Sequence, residues 1–94
     1  MRFTFDTAKD AANIEKHGLS LADAPMVFNA PDKLTLESPR EKEDRLVDIA
    51  LVEVAGVVLV LVYLLREPSE VRVISLRRAS KQERKLYASW QETH

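Results

Sequence analysis

Apolar residues follow a two-residue rhythm over most of this chain, which is typical of β-strands. Phe3 and Phe5 alternate with polar neighbours and predict a short first strand. Later strands are predicted at residues 34–37, 46–54, 57–65 and 71–76. Because the 57–65 segment is apolar on both faces, it is predicted to lie at the centre of the sheet.

Helix signals separate the first strand from the others. Asp6 or Thr7 is predicted to cap a first helix that ends at Gly18. A second helix is predicted from Ser20 to about Phe28, and Pro25 is expected to kink or shorten it.

The C-terminal end of the chain predicts one more helix. Ser80 and Glu83 have the spacing of a capping box, and the helix is expected to continue through Trp90. A charged loop is expected from Ser38 to Asp44. The fold class predicted is therefore α+β, with an antiparallel sheet of about four to five strands, two N-terminal helices and one C-terminal helix.

Composition narrows the class of protein. The 94 residues, 46% hydrophobic and 31% charged, predict a single globular domain spanning residues 1–94. There is no cysteine, so disulfides and thiolate metal sites are excluded. The start MRFTFD lacks a signal-peptide core and the longest apolar run is too short to cross a bilayer, so a cytoplasmic protein without a membrane span is expected.

Charge is segregated along the chain although the net charge is only −1. Residues 37–53 contain six acidic and three basic side chains, whereas residues 66–85 contain seven basic and three acidic ones. The basic segment is a candidate anion site, and a solvated surface of mixed charge is the alternative.

Arginines at the end of the last predicted strand are the candidate ligands of this anion site. Arg77 and Arg78 are expected to point to opposite faces of the sheet, and Arg66, at the end of the neighbouring strand, is expected to approach one of them. Guanidinium groups bind phosphate oxygens in a fixed fork geometry, so this constellation predicts a phosphate site. The alternative is that these arginines pair with Glu67, Glu70 and Glu83.

His17 is a candidate for proton transfer near neutral pH, although its place before Gly18 also suits a helix-terminal cation. Lys9 and Lys16 lie about two turns apart on the first helix and face the same side. No histidine–carboxylate spacing or calcium-loop pattern is present, so neither a metal site nor a cofactor is expected.

Two ordered blocks of residues form a pattern near the two ends of the chain. The N-terminal block contains Phe3, Phe5, Asp6, Lys9, Asn13, Lys16, His17, Gly18, Leu19, Ala24 and Phe28. The C-terminal block contains Arg72, Ile74, Ser75, Arg77, Arg78, Ala79, Glu83, Arg84 and Tyr87, and Arg45, Tyr63 and Arg66 lie between the blocks. In these residues the chain resembles the BrnT-like toxins of bacterial type II toxin–antitoxin systems. One departure is Ala50, which stands where the family usually has glycine.

This resemblance implies a RelE-like fold and a ribonuclease that blocks translation, acting on free or ribosome-bound RNA. It also implies an antitoxin partner with a ribbon-helix-helix domain, which would link the toxin to operator DNA. An endoribonuclease without metal can use the RNA 2′-hydroxyl as nucleophile, so the protein must supply charge and proton transfer. The expected catalytic residues are His17, Arg66, Arg77 and Arg78. The expected contacts to the RNA backbone are Lys9, Lys16, Arg72, Arg84 and Lys85.

Two other functions are compatible with the sequence. The chain could be a non-catalytic binding module that partners a DNA-binding antitoxin in operator autoregulation, because its acidic 37–53 segment suits a basic partner. A sensor of small anions that uses the same arginines is the third alternative.

Overall fold

The structure is a computed structural model that describes residues 1–40, 43–52, 56–66 and 68–93, and for residues 38–40 and 43–52 it describes the backbone alone. The strands are β1 (Arg2–Thr4), β2 (Lys33–Arg40), β3 (Glu43–Val52), β4 (Val57–Arg66) and β5 (Glu70–Arg78). The helices are α1 (Thr7–His17), α2 (Ala24–Phe28) and α3 (Lys81–Glu92), and a 3-10 turn (Leu21–Asp23) precedes α2. The predicted α+β class is confirmed.

The strands form one sheet in the order β1-β5-β4-β3-β2. β2 to β5 pair antiparallel, but β1 pairs parallel to β5, with Phe3 opposite Val71. The prediction of a fully antiparallel sheet is therefore wrong at this edge. The cause is the connection: β1 is separated from the rest of the sheet by the helices, and such a long crossover permits parallel pairing.

Backbone pairing also replaces most of the predicted charged loop at 38–44. β2 continues to Arg40 and β3 begins at Glu43, and the two residues face each other in the ladder. Charged residues are tolerated here because β2 is at the edge of the sheet. Residues 41–42 lie outside the described part, as do 53–55, so the predicted end of β3 at residue 54 is not described.

The N-terminal helices begin and end largely where their capping residues predict. Asp6 caps α1 by accepting hydrogen bonds from the Ala8 and Lys9 backbone N–H groups, and Gly18 ends the helix with φ +71°. Pro25 does not lie deep inside a helix as predicted. It is in the first turn of α2, where a missing N–H costs little, because the 3-10 turn takes up the preceding residues.

Asn13 fastens α1 to the edge of β5. Its side-chain amide donates to the Leu76 carbonyl at 2.8 Å and accepts from the Leu76 N–H at 3.3 Å, and it also donates to the Leu19 carbonyl at 2.8 Å. This side chain is only 7% exposed, and its hydrogen bonds replace those of a missing neighbouring strand. α1 consequently runs beside β5 in the same direction.

The two faces of the sheet bury separate apolar clusters. On one face, Leu59, Leu61 and Tyr63 of β4 pack with the α2 region, where Phe28 makes an edge contact with Tyr63 at 5.3 Å between ring centroids. On the other face, hereafter the α3 face, Val60 packs with Tyr87 of α3. The α3 face carries the side chains of the candidate site.

Candidate functional site

A β-bulge determines which arginines share the α3 face. In the β4–β5 ladder, Val62 pairs with Ser75 and Tyr63 with Val73, so Ile74 is an extra residue without a partner in β4. Strict alternation would place Arg72 and Arg77 on opposite faces. The bulge instead aligns both with the even-numbered residues of β4 on the α3 face, which the sequence analysis did not anticipate.

The expected meeting of Arg66 with Arg77 or Arg78 does not occur. Arg77 is opposite Val60 and Arg66 is opposite Glu70, so Arg66 and Arg77 share a face but lie six residues apart along β4. At about 3.3 Å per residue their Cα atoms are separated by roughly 20 Å, too far for both guanidinium groups to contact one phosphate. The error came from the hairpin: antiparallel strands bring the end of β4 beside the start of β5.

Arg77 belongs to a group that we name the helix-cap pair, formed with Glu83 of α3. Two parallel hydrogen bonds of 2.7 and 2.8 Å join the guanidinium of Arg77 to the carboxylate of Glu83. Glu83 also accepts from the Ser80 N–H at 2.8 Å, as the predicted capping box requires. The hydrogen bonds from Arg77, with that from Ser80, lower the pKa of Glu83 to about 2.

The other end of the α3 face holds what we name the hairpin-end cluster: Arg2, Thr4, Arg66, Glu70 and Arg72. The Thr4 hydroxyl donates to Glu70 Oε2, and Arg2 Nη2 lies 3.5 Å from Glu70 Oε1. Above all the Thr4 hydrogen bond, and then the charges of Arg2, Arg66 and Arg72, hold the pKa of Glu70 below its usual value of 4.5. Three guanidinium groups thus face one carboxylate.

His17 and Arg78 lie away from this cluster. Arg78 is opposite Leu59 and is exposed on the face that α2 covers, which confirms that Arg77 and Arg78 point to opposite faces. Since Asn13 fixes α1 beside Leu76, half-buried His17 is about 6 Å further along the helix, toward the Arg78 end of β5. His17 and Arg66 are therefore at opposite ends of the sheet.

The predicted backbone contacts also divide between the two ends. The charges of Lys9 and Arg72 both help to lower the pKa of the Asp6 carboxylate, so Lys9 lies on the side of the hairpin-end cluster. Lys16 is about 10 Å further along α1, toward the opposite end. Arg84 and Lys85 are exposed on α3, where Arg84 donates to the Ala79 carbonyl at 3.2 Å and lines a groove of ≈ 280 Å³ with Arg78 and Gly56.

Several expectations fall on side chains that the structure does not describe. They are Arg45, Glu67 and all of the acidic 37–53 segment beyond Glu37. Over the described residues, no three His, Asp or Glu side chains are grouped as ligands for a metal ion. None of the helices in the described ranges is long and apolar enough to span a bilayer.

Comparison with known proteins identifies the family. The family model "Ribonuclease toxin, BrnT, of type II toxin-antitoxin system" matches residues 5–83. The crystal structure of the ribonuclease toxin BrnT from Brucella abortus is similar, with a TM-score of 0.67 and 25% identity, and the match covers 86% of this chain and 99% of that one. No curated protein sequence matches the chain. The chain belongs to the BrnT family of ribonuclease toxins of type II toxin–antitoxin systems.

Proposed function

We propose that this chain is a metal-independent endoribonuclease that inhibits translation and binds the scissile phosphate of RNA at the hairpin-end cluster. The observation that carries the proposal is the excess of cations there: Arg66 and Arg72 flank a carboxylate that Arg2 already shares. Arg66 is exposed and Arg72 is half-buried, so both can reach a bound strand. Guanidinium groups supply the charge stabilisation that a phosphoryl transition state requires, without a metal ion.

Arg66 and Arg72 are close enough to act together. Arg72 is opposite Leu64 and Arg66 is opposite Glu70, so the two arginines are on adjacent strands and two residues apart along the ladder. Such diagonal neighbours have Cα atoms about 7–8 Å apart, within the reach of two long side chains on one phosphate. Arg2 and Lys9 are positioned to contact neighbouring phosphates of the same strand.

Arg77 is not part of this proposed site. Both of its terminal nitrogens are hydrogen-bonded to Glu83, and a phosphate would have to displace a carboxylate that already has the fork geometry. Arg78 and His17 are at the far end of the sheet, and we assign neither a catalytic role at the hairpin-end cluster. RNA contacts by Lys16, Arg84 and Lys85 stay predictions for a strand that continues toward α3.

The type II toxin–antitoxin family implies an antitoxin partner. We infer that this antitoxin has a ribbon-helix-helix domain and connects the toxin to operator DNA. A basic DNA-binding partner suits the acidic composition of residues 37–53, which is separate in sequence from the arginines of the cluster. We further expect the toxin to act in the cytoplasm as a single domain.

The decisive experiment uses the purified chain, separated from any co-expressed antitoxin, on single-stranded RNA in the presence of a metal chelator. We expect cleavage that leaves a 2′,3′-cyclic phosphate and a 5′-hydroxyl. Arg72→Ala should lower the rate on the order of 10²-fold, because one charged donor to the transition state is lost. Arg77→Ala is the matched control, an arginine on the same face that should keep most of the activity.

A failure to cleave RNA, with or without divalent metal, would favour the non-catalytic binding module. In that case translation should also continue in a cell-free system that receives the chain, and operator DNA binding should require the antitoxin. If RNA is cleaved with divalent metal present but not in the presence of the chelator, the chain is a ribonuclease that depends on a metal ion.

A further inference from the structure

Glu70 places a negative charge among the arginines that are proposed to bind phosphate, and phosphate binding alone does not require a carboxylate there. It is the first residue of β5, opposite Arg66 of β4 on one side and Arg2 of β1 on the other. Its side chain is 15% exposed, so it is neither closed off from solvent nor free on the surface. The carboxylate therefore lies at the edge of the surface on which the proposed RNA strand would bind.

The hydrogen bonds of Glu70 leave one oxygen available. Among the residues that the structure describes, Thr4 donates to Oε2, whereas Oε1 has only the ion pair with Arg2 at 3.5 Å, and the Arg2 side chain is 72% exposed. Glu83, by comparison, accepts hydrogen bonds on both oxygens from Arg77 and one more from Ser80. A carboxylate oxygen with a long contact to an exposed partner can accept a further hydrogen bond from a ligand hydroxyl.

We propose that Glu70 is the general base of RNA cleavage, accepting the proton of the 2′-hydroxyl next to the phosphate held by Arg66 and Arg72. This inference rests on the proposed ribonuclease function. As the proton moves to Glu70, the 2′-oxygen forms a bond to phosphorus and the bond from phosphorus to the 5′-oxygen breaks. The departing 5′-oxygen takes a proton from solvent water, and Glu70 later returns its proton to solvent.

Other acid–base groups of the described chain are poorly placed for this step. His17 is at the opposite end of the sheet from Arg66, and Glu83 already accepts three hydrogen bonds from Arg77 and Ser80. Asp6 faces Arg72 and Lys9 but caps α1, with one oxygen accepting from two backbone N–H groups. Glu70 is the described carboxylate that lies between the two phosphate-binding arginines.

The electrostatics of the cluster agree with a base and not with an acid. Thr4, Arg2, Arg66 and Arg72 are the polar and charged groups that face Glu70 from β1, β4 and β5, and together they lower its pKa. The lowered pKa keeps Glu70 ionised at neutral pH, the form that accepts a proton, and it also makes this carboxylate a weaker base than one whose pKa is near 7. The rate of RNA cleavage should consequently fall only at acid pH, where Glu70 becomes protonated.

Glu70→Gln is the first test, because glutamine keeps the size of the side chain and can still accept a hydrogen bond from Thr4. We expect kcat for a short RNA to fall by roughly 10²–10⁴-fold while the affinity for a 2′-deoxy analogue changes little. Glu83→Gln, which also removes a carboxylate beside an arginine on the α3 face, is the matched control and should keep its kcat. Circular dichroism and thermal melting check that both variants fold.

Thr4→Val adds a measurement that a purely structural role of Glu70 would not change. Removing the hydroxyl donor raises the pKa of Glu70, so the acid limb of the pH–rate profile should move to higher pH, with little change in the plateau rate. In Glu70→Gln the same limb should be absent from the residual activity.

The outcomes separate this inference from the proposed function. If Glu70→Gln cleaves RNA at the wild-type rate with an unchanged pH profile while Arg72→Ala is inactive, Glu70 is not the base although the enzyme stands. If the wild-type chain cleaves no RNA, both proposals fail. A loss of activity in Glu70→Gln that is matched by an equal loss of affinity for the analogue would also overturn the role, since Glu70 would then only organise the binding surface.

Discussion

The hairpin-end cluster and the helix-cap pair both place arginine beside glutamate on the α3 face, but they differ in the number of cations that each carboxylate serves. Glu83 receives both terminal nitrogens of a single arginine, and the pair is neutral. Glu70 is approached by three arginines and accepts its hydrogen bond from an uncharged hydroxyl, that of Thr4. Of these two groups, the hairpin-end cluster is therefore the one with positive charge left for a ligand.

This difference follows from local structure. The helix-cap pair arises because α3 begins directly after β5, so that the third residue of the helix lies beside the end of the strand. In the hairpin-end cluster Glu70 caps no helix, because Asp6 caps the nearby N-terminus of α1. Its side chains come from three adjacent strands, and cross-strand neighbours on one face are held within reach of each other. An arginine–glutamate pair seen in sequence thus has different meanings in the two places.

Among the arginine substitutions that test this comparison, the largest effect should come from removing both arginines that flank Glu70. We expect Arg66→Ala and Arg72→Ala each to reduce the rate of RNA cleavage on the order of 10²-fold. The double variant should lose little more activity than either single variant, far less than a further factor of about 10². The reason is that two groups acting on one phosphate lose most of their shared benefit with the first substitution. Single-turnover cleavage of a short RNA measures all three rates.

Two outcomes would contradict the placement of one shared phosphate between Arg66 and Arg72. If the effects of Arg66→Ala and Arg72→Ala multiply, as they do for distant sites, the two arginines contact separate phosphates. If Arg77→Ala is as damaging as Arg72→Ala in a folded protein, the phosphate site lies at the helix-cap pair.

An effect of intermediate size is expected on the unfolding free energy of the protein at acid pH, through the carboxylate of Glu83. The pKa of Glu83 is lowered from 4.5 to about 2 by Arg77 and Ser80, so its contribution is present above pH 4.5 and is lost as the pH falls toward 2. Because the pair is partly exposed, we expect Glu83→Gln to cost about 1–2 kcal/mol of unfolding free energy at pH 7, less than the full pKa shift implies. At pH 2, close to the lowered pKa, most of this difference in stability should be lost.

Urea unfolding at pH 7, 4 and 2 provides this measurement. Glu15→Gln, which changes an exposed glutamate of α1, serves as the control and should match the wild type at each pH. A stability difference for Glu83→Gln that is as large at pH 2 as at pH 7 would assign the effect to side-chain shape instead of charge.

Local rules predicted the ends of elements well in this chain, because capping depends on neighbours in sequence. The left-handed Gly18, the capping box of Ser80 and Glu83, and the opposite orientations of Arg77 and Arg78 were all available from short spacings. The α+β class followed from the order of helix and strand signals. These features need no knowledge of which strands pair.

The arrangement of the site was not predictable in the same way, because it depends on pairing between distant segments. Nothing local marks Ile74 as the bulged residue, yet this one residue determines that Arg72 shares the α3 face with Arg77. The parallel addition of β1 to β5, which brings Arg2 and Thr4 to Glu70, likewise depends on long-range packing. The hairpin geometry itself did contain a usable signal, since residues on either side of a tight turn must be neighbours, and it would have placed Arg66 beside Glu70.

The smallest expected effect is on the salt dependence of RNA binding. Each phosphate contact by an arginine releases counterions, and on a single strand it contributes about 0.7 to the slope of log affinity against log salt concentration. Arg66→Ala should make this slope shallower by about that amount, whereas Arg77→Ala should leave it unchanged because its charge is already neutralised by Glu83. Fluorescence anisotropy with a 2′-deoxy oligonucleotide, which lacks the nucleophile, measures the slope without cleavage. A change of equal size in both variants would mean that the helix-cap pair opens to admit RNA, and the contrast between the two regions would then hold only for the free protein.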